Sequence, residues 1–169
     1  MKTKHILLFS IVVTTMLAYA CQKEDAGNST LRIRMTDAPT ALEEVNIDLQ
    51  QVNVKFAKDS GGWVSMQTNA GIYNLLDFQN GVDTLIAQGT YPGGEVKEIR
   101  LVLGNNNSVK ESGQVYPLII PSGSESGLKI KMNKKLRTGL DSLLIDFDAL
   151  MSIKKERDNY KLRPVIKLK

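Results

Sequence analysis

Leu31-Arg32-Ile33-Arg34-Met35-Thr36 alternates apolar and polar side chains without interruption. A period of two residues is typical of a β-strand that buries one face and exposes the other. The strand is expected to end in Thr36-Asp37-Ala38-Pro39, because proline cannot donate to a sheet ladder and Asp37 can accept hydrogen bonds from nearby backbone amides. This segment therefore predicts that the folded domain begins with a half-buried strand.

The same alternation returns downstream, with one change of phase. Apolar residues occupy odd positions from Val45 to Leu49 and even positions from Val52 to Phe56. One extra residue at Gln50-Gln51, a β-bulge, would keep both halves of the strand facing the same core. Lys58-Asp59-Ser60-Gly61-Gly62 is typical of a hairpin tip, so a second long strand and a returning partner are predicted.

Shorter segments with the strand period follow. They are residues 82–88, 98–103, 115–120, 128–133, 143–148 and 160–168. Residues 73–78 fit either a helical turn or a bent strand, and residues 89–94 are expected to form a loop. With eight or nine short strands and no helix longer than a turn or two, the expected fold class is all-β. We expect a single antiparallel β-sandwich of immunoglobulin-like or transthyretin-like type.

The N-terminal residues have the layout of a secretory signal. Lys2 and Lys4 precede a mostly apolar run from Ile6 to Leu17, which is too short for a comfortable membrane span. Leu17-Ala18-Tyr19-Ala20 then leads into Cys21, and a small residue directly before a lone cysteine resembles the lipobox of bacterial lipoproteins. The resemblance implies cleavage after residue 20 and acylation of Cys21. The alternatives are an ordinary secreted protein with a chance cysteine and an uncleaved anchor.

The residues behind this cysteine bear on where the protein is displayed. Gln22-Lys23-Glu24-Asp25 resembles the export signal of Bacteroidota lipoproteins, a lysine followed by two acidic residues. The resemblance implies transport across the outer membrane to the cell surface, and a plain solvated linker is the alternative. We expect a signal peptide at residues 1–20, the acylated cysteine and a flexible tether at residues 21–29, and one domain at residues 30–169.

His5 is the only histidine and Cys21 the only cysteine of the 169 residues. If the signal is removed before Cys21, the remaining chain has no histidine, and its single thiol carries the lipid. Ser-His-Asp and Cys-His catalysis, His/Cys zinc sites and internal disulfides are then excluded. The composition therefore favours binding over catalysis, and no enzyme activity is expected.

Asp146 and Asp148 are the most suggestive carboxylates in the chain. Two residues apart on a predicted strand, both would leave the same face about 6.5 to 7 Å apart. Together with Asp37 from a loop, they are a candidate oxygen-ligand site for calcium, and no other cofactor is expected. The alternatives are a catalytic carboxylate pair and hydrogen bonding to loop backbone, lysine or arginine.

Basic residues form two runs, from Lys129 to Arg137 and from Lys161 to Lys169. A basic face can hold acidic glycans or another anionic surface, whereas lysines on solvated strand faces that deter edge pairing are the alternative. The runs lack the interleaved aromatic residues of a single-strand nucleic-acid platform, so no nucleic-acid partner is expected. Two S-x-x-K matches, starting at Ser126 and Ser152, lack the companion motifs of serine acyl-enzymes.

Glycan binding also depends on exposed aromatic rings, on which sugar faces stack. Phe56, Phe147 and Tyr160 fall on predicted core positions, and only Trp63, Tyr73 and Tyr91 lie in or near loops. Trp63 itself is expected to plug the core and not to form a platform. Few aromatic rings are therefore available for stacking on sugars.

An ordered set of short motifs resembles the domain of unknown function 4382. The motifs are Thr36-Asp37-Ala38-Pro39, Asn74-Leu75-Leu76-Asp77 with Asn80-Gly81, Ile99-Arg100-Leu101, Ile120-Pro121-Ser122-Gly123, Ser126-Gly127-Leu128-Lys129, Asp146-Phe147-Asp148-Ala149 with Ser152, and Tyr160–Ile166. The likeness spans nearly the whole chain after the tether. It implies a small all-β domain carried by lipoproteins of Bacteroidota and related bacteria. No activity is established for that family, so the resemblance implies no catalytic residue.

These observations predict a non-catalytic outer-membrane lipoprotein that is exposed on the cell surface. It would be held by its N-terminal lipid and act as a binding or accessory module for a protein or a glycan. The first alternative is a structural or adhesive subunit, similar to those of fimbriae, that pairs edge strands with another chain. The second is an enzyme that uses carboxylates or calcium. The sequence leaves the oligomeric state open.

Overall fold

The computed structural model describes residues 27–38, 40–58, 62–121, 127–157 and 159–169. Within these ranges the chain folds almost entirely into strands. The strands are β1 (Asn28–Asp37), β2 (Glu44–Phe56), β3 (Val64–Ser65), β4 (Gln67–Thr68), β5 (Gly71–Asn74), β6 (Thr84–Pro92), β7 (Glu95–Leu103), β8 (Ser108–Glu111), β9 (Gln114–Ile119), β10 (Leu128–Lys135), β11 (Gly139–Phe147), β12 (Ile153–Glu156), β13 (Asn159–Leu162) and β14 (Ile166–Leu168). A 3-10 helix spans Leu75–Phe78, and the α-helix α1 spans Ala149–Ser152.

Two mixed sheets enclose the core and give a sandwich-like fold. The five-stranded sheet has the order β14-β11-β1-β6-β4, and the nine-stranded sheet has the order β10-β7-β2-β8-β9-β13-β12, with β3 and β5 also paired to β2. The core is one cluster of buried aliphatic residues with Phe147 and Tyr160. The predicted all-β class is therefore confirmed. Among the residues that the structure describes, no helix has the length and apolar character needed to cross a bilayer.

The alternation in β1 is confirmed by its burial. Leu31 and Ile33 are fully buried, Met35 is nearly so, and Arg32 faces solvent. The strand lies in the middle of its sheet, antiparallel to β6 and parallel to β11 over nine residue pairs from Ser29↔Gly139 to Asp37↔Phe147. β9 and β13 also run parallel. The sheets are thus mixed, whereas an antiparallel sandwich was expected, because a strand's period does not encode the direction of a distant partner.

β2 contains the predicted bulge. Its pairing with β7 shifts register between Leu49 and Gln51, and Val45 and Val52 are both fully buried on either side of the shift. The extra residue therefore keeps both halves of β2 on the core, as the change of phase indicated. β3 pairs antiparallel with the end of β2, as a hairpin requires, and residues 59–61 of the predicted tip lie outside the described residues.

Several boundaries differ from those predicted. The structure has more strands than eight or nine because pieces of two to four residues, such as β4 and β12, show too few alternations to be recognised. β6 continues through Gly89–Pro92, which was expected to be loop, because its pairing with β1 extends to Asn28↔Pro92. β1 begins at Asn28, two residues before the predicted start of the domain. Residues 73–78 combine both predicted alternatives, a strand end followed by a helical turn.

Candidate functional site

The predicted lipid attachment site and export signal lie outside the described residues. Cys21, Lys23, Glu24 and Asp25 all precede Gly27, where the structural description begins. Their roles stay predictions from the sequence.

Asp37 is a buried carboxylate at the end of β1. Its Oδ1 accepts a hydrogen bond of 2.8 Å from the backbone N–H of Ala149, and its Oδ2 accepts a longer one of 3.4 Å from Gln79 Nε2. Burial raises the pKa of Asp37 to about 6 in spite of these bonds, and the nearby Asp146 carboxylate adds to the rise. Asp37 therefore joins the end of β1 to the first turn of α1.

Asp148 does not share a strand face with Asp146, which corrects the predicted pairing. β11 ends at Phe147, and Asp148 becomes the N-cap of α1, where its carboxylate accepts the Met151 N–H at 2.9 Å. A helix N-terminus leaves backbone donors unsatisfied, so an aspartate there is favoured as a cap. Asp146 forms a 2.8 Å ion pair with Lys169 through Oδ2, while its buried Oδ1 has no hydrogen-bond partner in the described chain.

The three aspartates thus have separate structural roles. Across the described ranges, no group of three or more histidine, cysteine, aspartate or glutamate residues is arranged to hold a metal ion. The contacts seen match the hydrogen-bonding alternative, and the calcium site gains no support from the geometry.

Ser152, the first residue of one S-x-x-K match, is fully buried. Its hydroxyl accepts the Val165 N–H at 2.8 Å and lies 3.4 Å from the Val165 carbonyl oxygen, to which it donates. Lys155, the lysine of that match, instead pairs with Glu111 on β8. Ser152 therefore fastens the segment before β14, and Ser126 of the other match lies outside the described residues.

Many residues of the two basic runs form ion pairs. Lys134 and Arg137 both approach the buried Asp141, at 3.3 and 3.6 Å. Lys161 and Arg163 both approach Glu156, at 2.5 and 3.1 Å. The charge of these residues is thus partly neutralised within the domain, and they contribute less to a free basic surface than the sequence implies.

Trp63 lies on the outer side of the nine-stranded sheet and not in the core, contrary to expectation. Its neighbour Val64 packs against the core, and because side chains alternate across a strand, Trp63 projects to the other face. The guanidinium carbon of Arg100 lies 4.0 Å from the centre of the Trp63 ring. This distance is well within the range of a cation–π interaction, which holds the planar guanidinium against the ring.

Further cations surround this stacked pair. In the sheet register, Arg100 pairs with both Asn53 and Lys129, and in the next row Glu98 pairs with both Lys55 and Lys131. Paired residues share a face, so all of these side chains lie on the outer side of the sheet. We call the surface formed by Lys55, Trp63, Arg100, Lys129 and Lys131 the cationic face.

The four cations of the cationic face form no ion pair with any residue in the described ranges. The buried Nε of Arg100 also has no hydrogen-bond partner among those residues. Behind Arg100, Gly127 has a positive φ of 74°, and a Cβ there would lie 2.6 Å from Arg100 Cγ. Gly127 therefore leaves room for the Arg100 stem.

Polar side chains continue the cationic face along β2 and β3. Gln51 Nε2 donates to Ser65 Oγ at 2.9 Å, and Ser65 Oγ donates to Asn53 Oδ1 at 2.9 Å. The surface therefore combines an oriented guanidinium, ammonium groups that have no ion-pair partner in the described ranges, and a row of hydrogen-bonded amide and hydroxyl groups. In the sequence, Arg100 stood out only as a polar position in a strand, since its stacking partner lies 37 positions earlier.

A cleft of about 300 Å³ lies where β2 and β6 end. Its lining combines aromatic and apolar groups with one lysine and one glutamate: Phe56, Lys58, Val64, Tyr91, Pro92, Gly93, Gly94 and Glu95. The Phe56 and Tyr91 ring centres are 5.0 Å apart, and burial raises the pKa of Tyr91. We call this cleft the aromatic cleft. Tyr73, by contrast, packs on Phe78 and donates its hydroxyl to the Asn69 carbonyl oxygen.

Comparison with curated proteins found no match, and comparison with solved structures found none either. Comparison with protein families found one, described as Domain of unknown function (DUF4382), over residues 28–164. These residues include every strand from β1 to β13. The match agrees with the resemblance of the ordered motifs, and the chain belongs to the DUF4382 family.

Proposed function

We propose that this protein is a lipid-anchored, non-catalytic binding module, displayed on the outer-membrane surface, whose cationic face binds an acidic glycan. The observation that carries the proposal is the Arg100 guanidinium, held 4.0 Å over the Trp63 ring and without a carboxylate partner in the described chain. An arginine that contributes to stability normally meets a carboxylate. Here the guanidinium is oriented by the Trp63 ring and meets no carboxylate among the described residues.

The chemistry of arginine suits this role. A guanidinium presents several N–H donors in a fixed plane and binds a carboxylate or sulfate through two parallel hydrogen bonds. Stacking on Trp63 fixes that plane before the ligand arrives, so less side-chain entropy is lost on binding. Lys129 is paired with Arg100 in the register and adds a second positive charge next to it.

Several charges on one surface favour a repeating anionic ligand. Lys55 and Lys131 lie one row away from Arg100, with Glu98 between them as the one acidic side chain in these rows. A chain of uronic acids or sulfated sugars carries a charge on successive residues. It can therefore contact the cations of two successive sheet rows at once, whereas a single ion cannot. The amide and hydroxyl groups of Gln51, Asn53 and Ser65 are suited to sugar hydroxyls.

The remaining chemistry supports a non-catalytic role. Asp37 and Asp148 accept backbone hydrogen bonds at α1, Asp146 pairs with Lys169, and Ser152 is buried against Val165. In each case the side chain already has a structural partner. The anchored location rests on the sequence around Cys21 and on the start of β1 only seven positions later.

The proposal is tested by measuring binding of the full chain, in detergent, to heparin and to polygalacturonate, with neutral dextran as the reference. We expect binding to both acidic polymers, no binding to dextran, and an affinity about tenfold lower for Arg100→Gln, as the loss of a bidentate contact implies. Trp63→Ala should weaken binding as well, because the guanidinium loses its orientation.

Arg32→Gln is the matched control. Arg32 is a strand arginine that, like Arg100, has no ion pair in the described residues, but it is exposed and lies on the five-stranded sheet. If Arg32→Gln weakens binding as much as Arg100→Gln, the attraction is a general charge effect and the cationic face is not the site. Unchanged binding of Arg100→Gln would also overturn the proposal.

A further inference from the structure

One end of the sandwich is fixed next to the predicted tether. β1 starts at Asn28, which pairs with Pro92 at the end of β6. A Cβ on Gly27 would lie 2.5 Å from Thr138 Cγ2, and a Cβ on Gly93 would lie 3.4 Å from the Gly27 carbonyl oxygen. We call this end of the domain, where β1, β7 and β11 begin and β2, β6 and β10 end, the tether end.

The tether end carries apolar groups that the fold does not fully cover. The aromatic cleft lies there, since Phe56 ends β2 and Tyr91 and Pro92 end β6. Leu140, in the second position of β11, is 57% exposed. Leu140 and the aromatic cleft thus lie at the same end of the sandwich, and exposed apolar side chains are suited to the interface of a bilayer.

The tether end is also cationic. Backbone contacts join the end of β10 to the aromatic cleft, because Leu136 N–H donates to the Gly94 carbonyl at 2.8 Å and Lys135 pairs with Glu95. The cations around this end are Lys58, Lys97, Lys134, Lys135 and Arg137, and the carboxylates in the described residues there are Glu95 and Asp141. Arg137 has a side chain that is 77% exposed. Among the described residues of this end, five cations thus accompany two carboxylates, and Lys58 and Lys135 form no ion pair within the described ranges.

The length of the preceding chain limits how far this end can lie from a lipid anchor. Residues 22–26 separate Cys21 from Gly27. Even fully extended, this stretch spans about 20 Å. A domain held at that distance meets the headgroup region repeatedly, and its cations come within the roughly 8 Å over which surface charges act at physiological salt.

We propose that the tether end docks onto an anionic lipid surface, with Leu140 and the aromatic cleft at the interface and Lys135 and Arg137 against the headgroups. The inference rests on the acylation of Cys21 in the proposed function but is independent of the cationic face. In this orientation, the N-terminal end of β1 points towards the membrane.

The test uses the full-length lipoprotein reconstituted into vesicles that contain brominated phosphatidylcholine, with or without phosphatidylglycerol. Trp63 is the only tryptophan, so Trp63→Phe gives a background without tryptophan fluorescence. Leu140→Trp then reports from the tether end, and Leu150→Trp is the matched control, since Leu150 is 58% exposed but lies on α1, behind the end of β11. We expect the Leu140→Trp emission to be quenched at least about threefold more than the Leu150→Trp emission.

Charge is tested in the same assay. Lys135→Glu with Arg137→Glu should reduce quenching of the Leu140→Trp reporter on vesicles with phosphatidylglycerol, while Lys154→Glu with Arg157→Glu, an equal change in charge near β12, should not. Equal quenching of the Leu140→Trp and Leu150→Trp reporters would overturn the docking. If Lys135→Glu with Arg137→Glu leaves the quenching unchanged, an anionic lipid surface is not the partner.

Flotation of the vesicles separates this inference from the proposed function. A chain that fails to float with the vesicles lacks the anchor, which overturns the anchored function and this inference together. A chain that floats but shows equal quenching overturns only the docking. Binding to acidic polymers at the cationic face is measured without vesicles and is unaffected by either result.

Discussion

Asp37 Oδ1 accepts a hydrogen bond from the backbone N–H of Ala149 at 2.8 Å, although 112 positions separate the two residues. The contact closes the end of the sandwich opposite the tether, where β1 and β11 both finish. It places a buried carboxylate at the first turn of α1. The stability of this end therefore depends on the protonation of Asp37.

Asp37→Asn should remove a pH-dependent penalty on folding. The folded chain holds the Asp37 proton up to about pH 6, whereas the unfolded chain releases it near pH 4, so ionisation of Asp37 lowers the free energy of unfolding as pH rises between these values. The asparagine cannot ionise and keeps the acceptor for Ala149. Urea unfolding at several pH values should show the variant gaining about 1 to 3 kcal/mol relative to the native chain from pH 4 to 7.

Asp141→Asn is the control of opposite sign. Burial alone raises the pKa of Asp141, but the Arg137 N–H and the charges of Lys134 and Arg137 outweigh it and lower the pKa. Ionised Asp141 therefore stabilises the fold above the unfolded pKa, and Asp141→Asn should lose stability relative to the native chain as pH rises towards the unfolded pKa of about 4. Parallel pH curves for the native chain and Asp37→Asn would contradict the first prediction.

Gly104→Ala should destabilise the domain by about 1 to 3 kcal/mol. A Cβ at residue 104 would overlap with the Asp48 carboxylate and lie 2.9 Å from Gln50 Nε2. Asp48 cannot retreat easily, since it is buried and accepts the Asn106 N–H at 3.1 Å. Gly71→Ala is the control, because nothing lies within 4 Å of a Cβ there. Equal midpoints of urea unfolding for the two variants would show that the Asp48 carboxylate can move away from a Cβ at residue 104 without loss of stability.

Calcium should leave the melting temperature unchanged. Asp37, Asp146 and Asp148 each have a separate partner in the structure, and a ligand that binds only the folded chain would raise the melting temperature by mass action. The measurement is a thermal melt with calcium from zero to about ten millimolar, repeated with Asp146→Asn. A rise that the asparagine variant abolishes would restore the aspartates as metal ligands.

Cys21→Ser should release the protein from membranes. A serine has no thiol to acylate, so the chain would lose its hydrophobic anchor and partition into the soluble fraction after cell lysis. Fractionation followed by immunoblotting measures this. Ser126→Ala serves as a control because it leaves the anchor intact. Retention of Cys21→Ser in the membrane fraction would refute lipid attachment at this residue.

Replacement of Lys23, Glu24 and Asp25 by alanine should hide the domain from protease added to intact cells, because the export signal would be lost while the lipid remains. The control replaces Lys110, Glu43 and Glu44 by alanine, which likewise removes one lysine and two carboxylates, but from the folded domain. Loss of signal on protease treatment in both variants would show that the three residues do not direct surface display.

The sequence predicts those parts of the fold that depend on neighbours in the chain. Leu31 to Met35 encode a half-buried strand by their period, and the change of phase at Gln50-Gln51 encodes a bulge, because each depends only on which face of one strand is apolar. The parallel partnership of β1 and β11 depends on residues about 110 positions apart. No local period carries that information.

The candidate site shows the same division. The alternation that begins at Leu143 predicts a strand position for Asp148. In the structure the strand ends at Phe147 and Asp148 is the N-cap of α1, a position that favours aspartate. Trp63 was placed in the core because a large ring is usually buried. Its guanidinium partner, Arg100, lies on β7, which is separated from β3 by β2 in the sheet. The two side chains therefore meet only in the assembled sheet.

The position of β1 between β6 and β11 has a mechanical consequence. A pull transmitted through the residues before Asn28 runs along the axis of β1, and both neighbouring ladders resist it in shear. Hydrogen bonds loaded in shear share the force and must break together, whereas those at a sheet edge can open one after another. If the chain is anchored through Cys21 as proposed, a pull at the tether would therefore load both ladders of β1 at once.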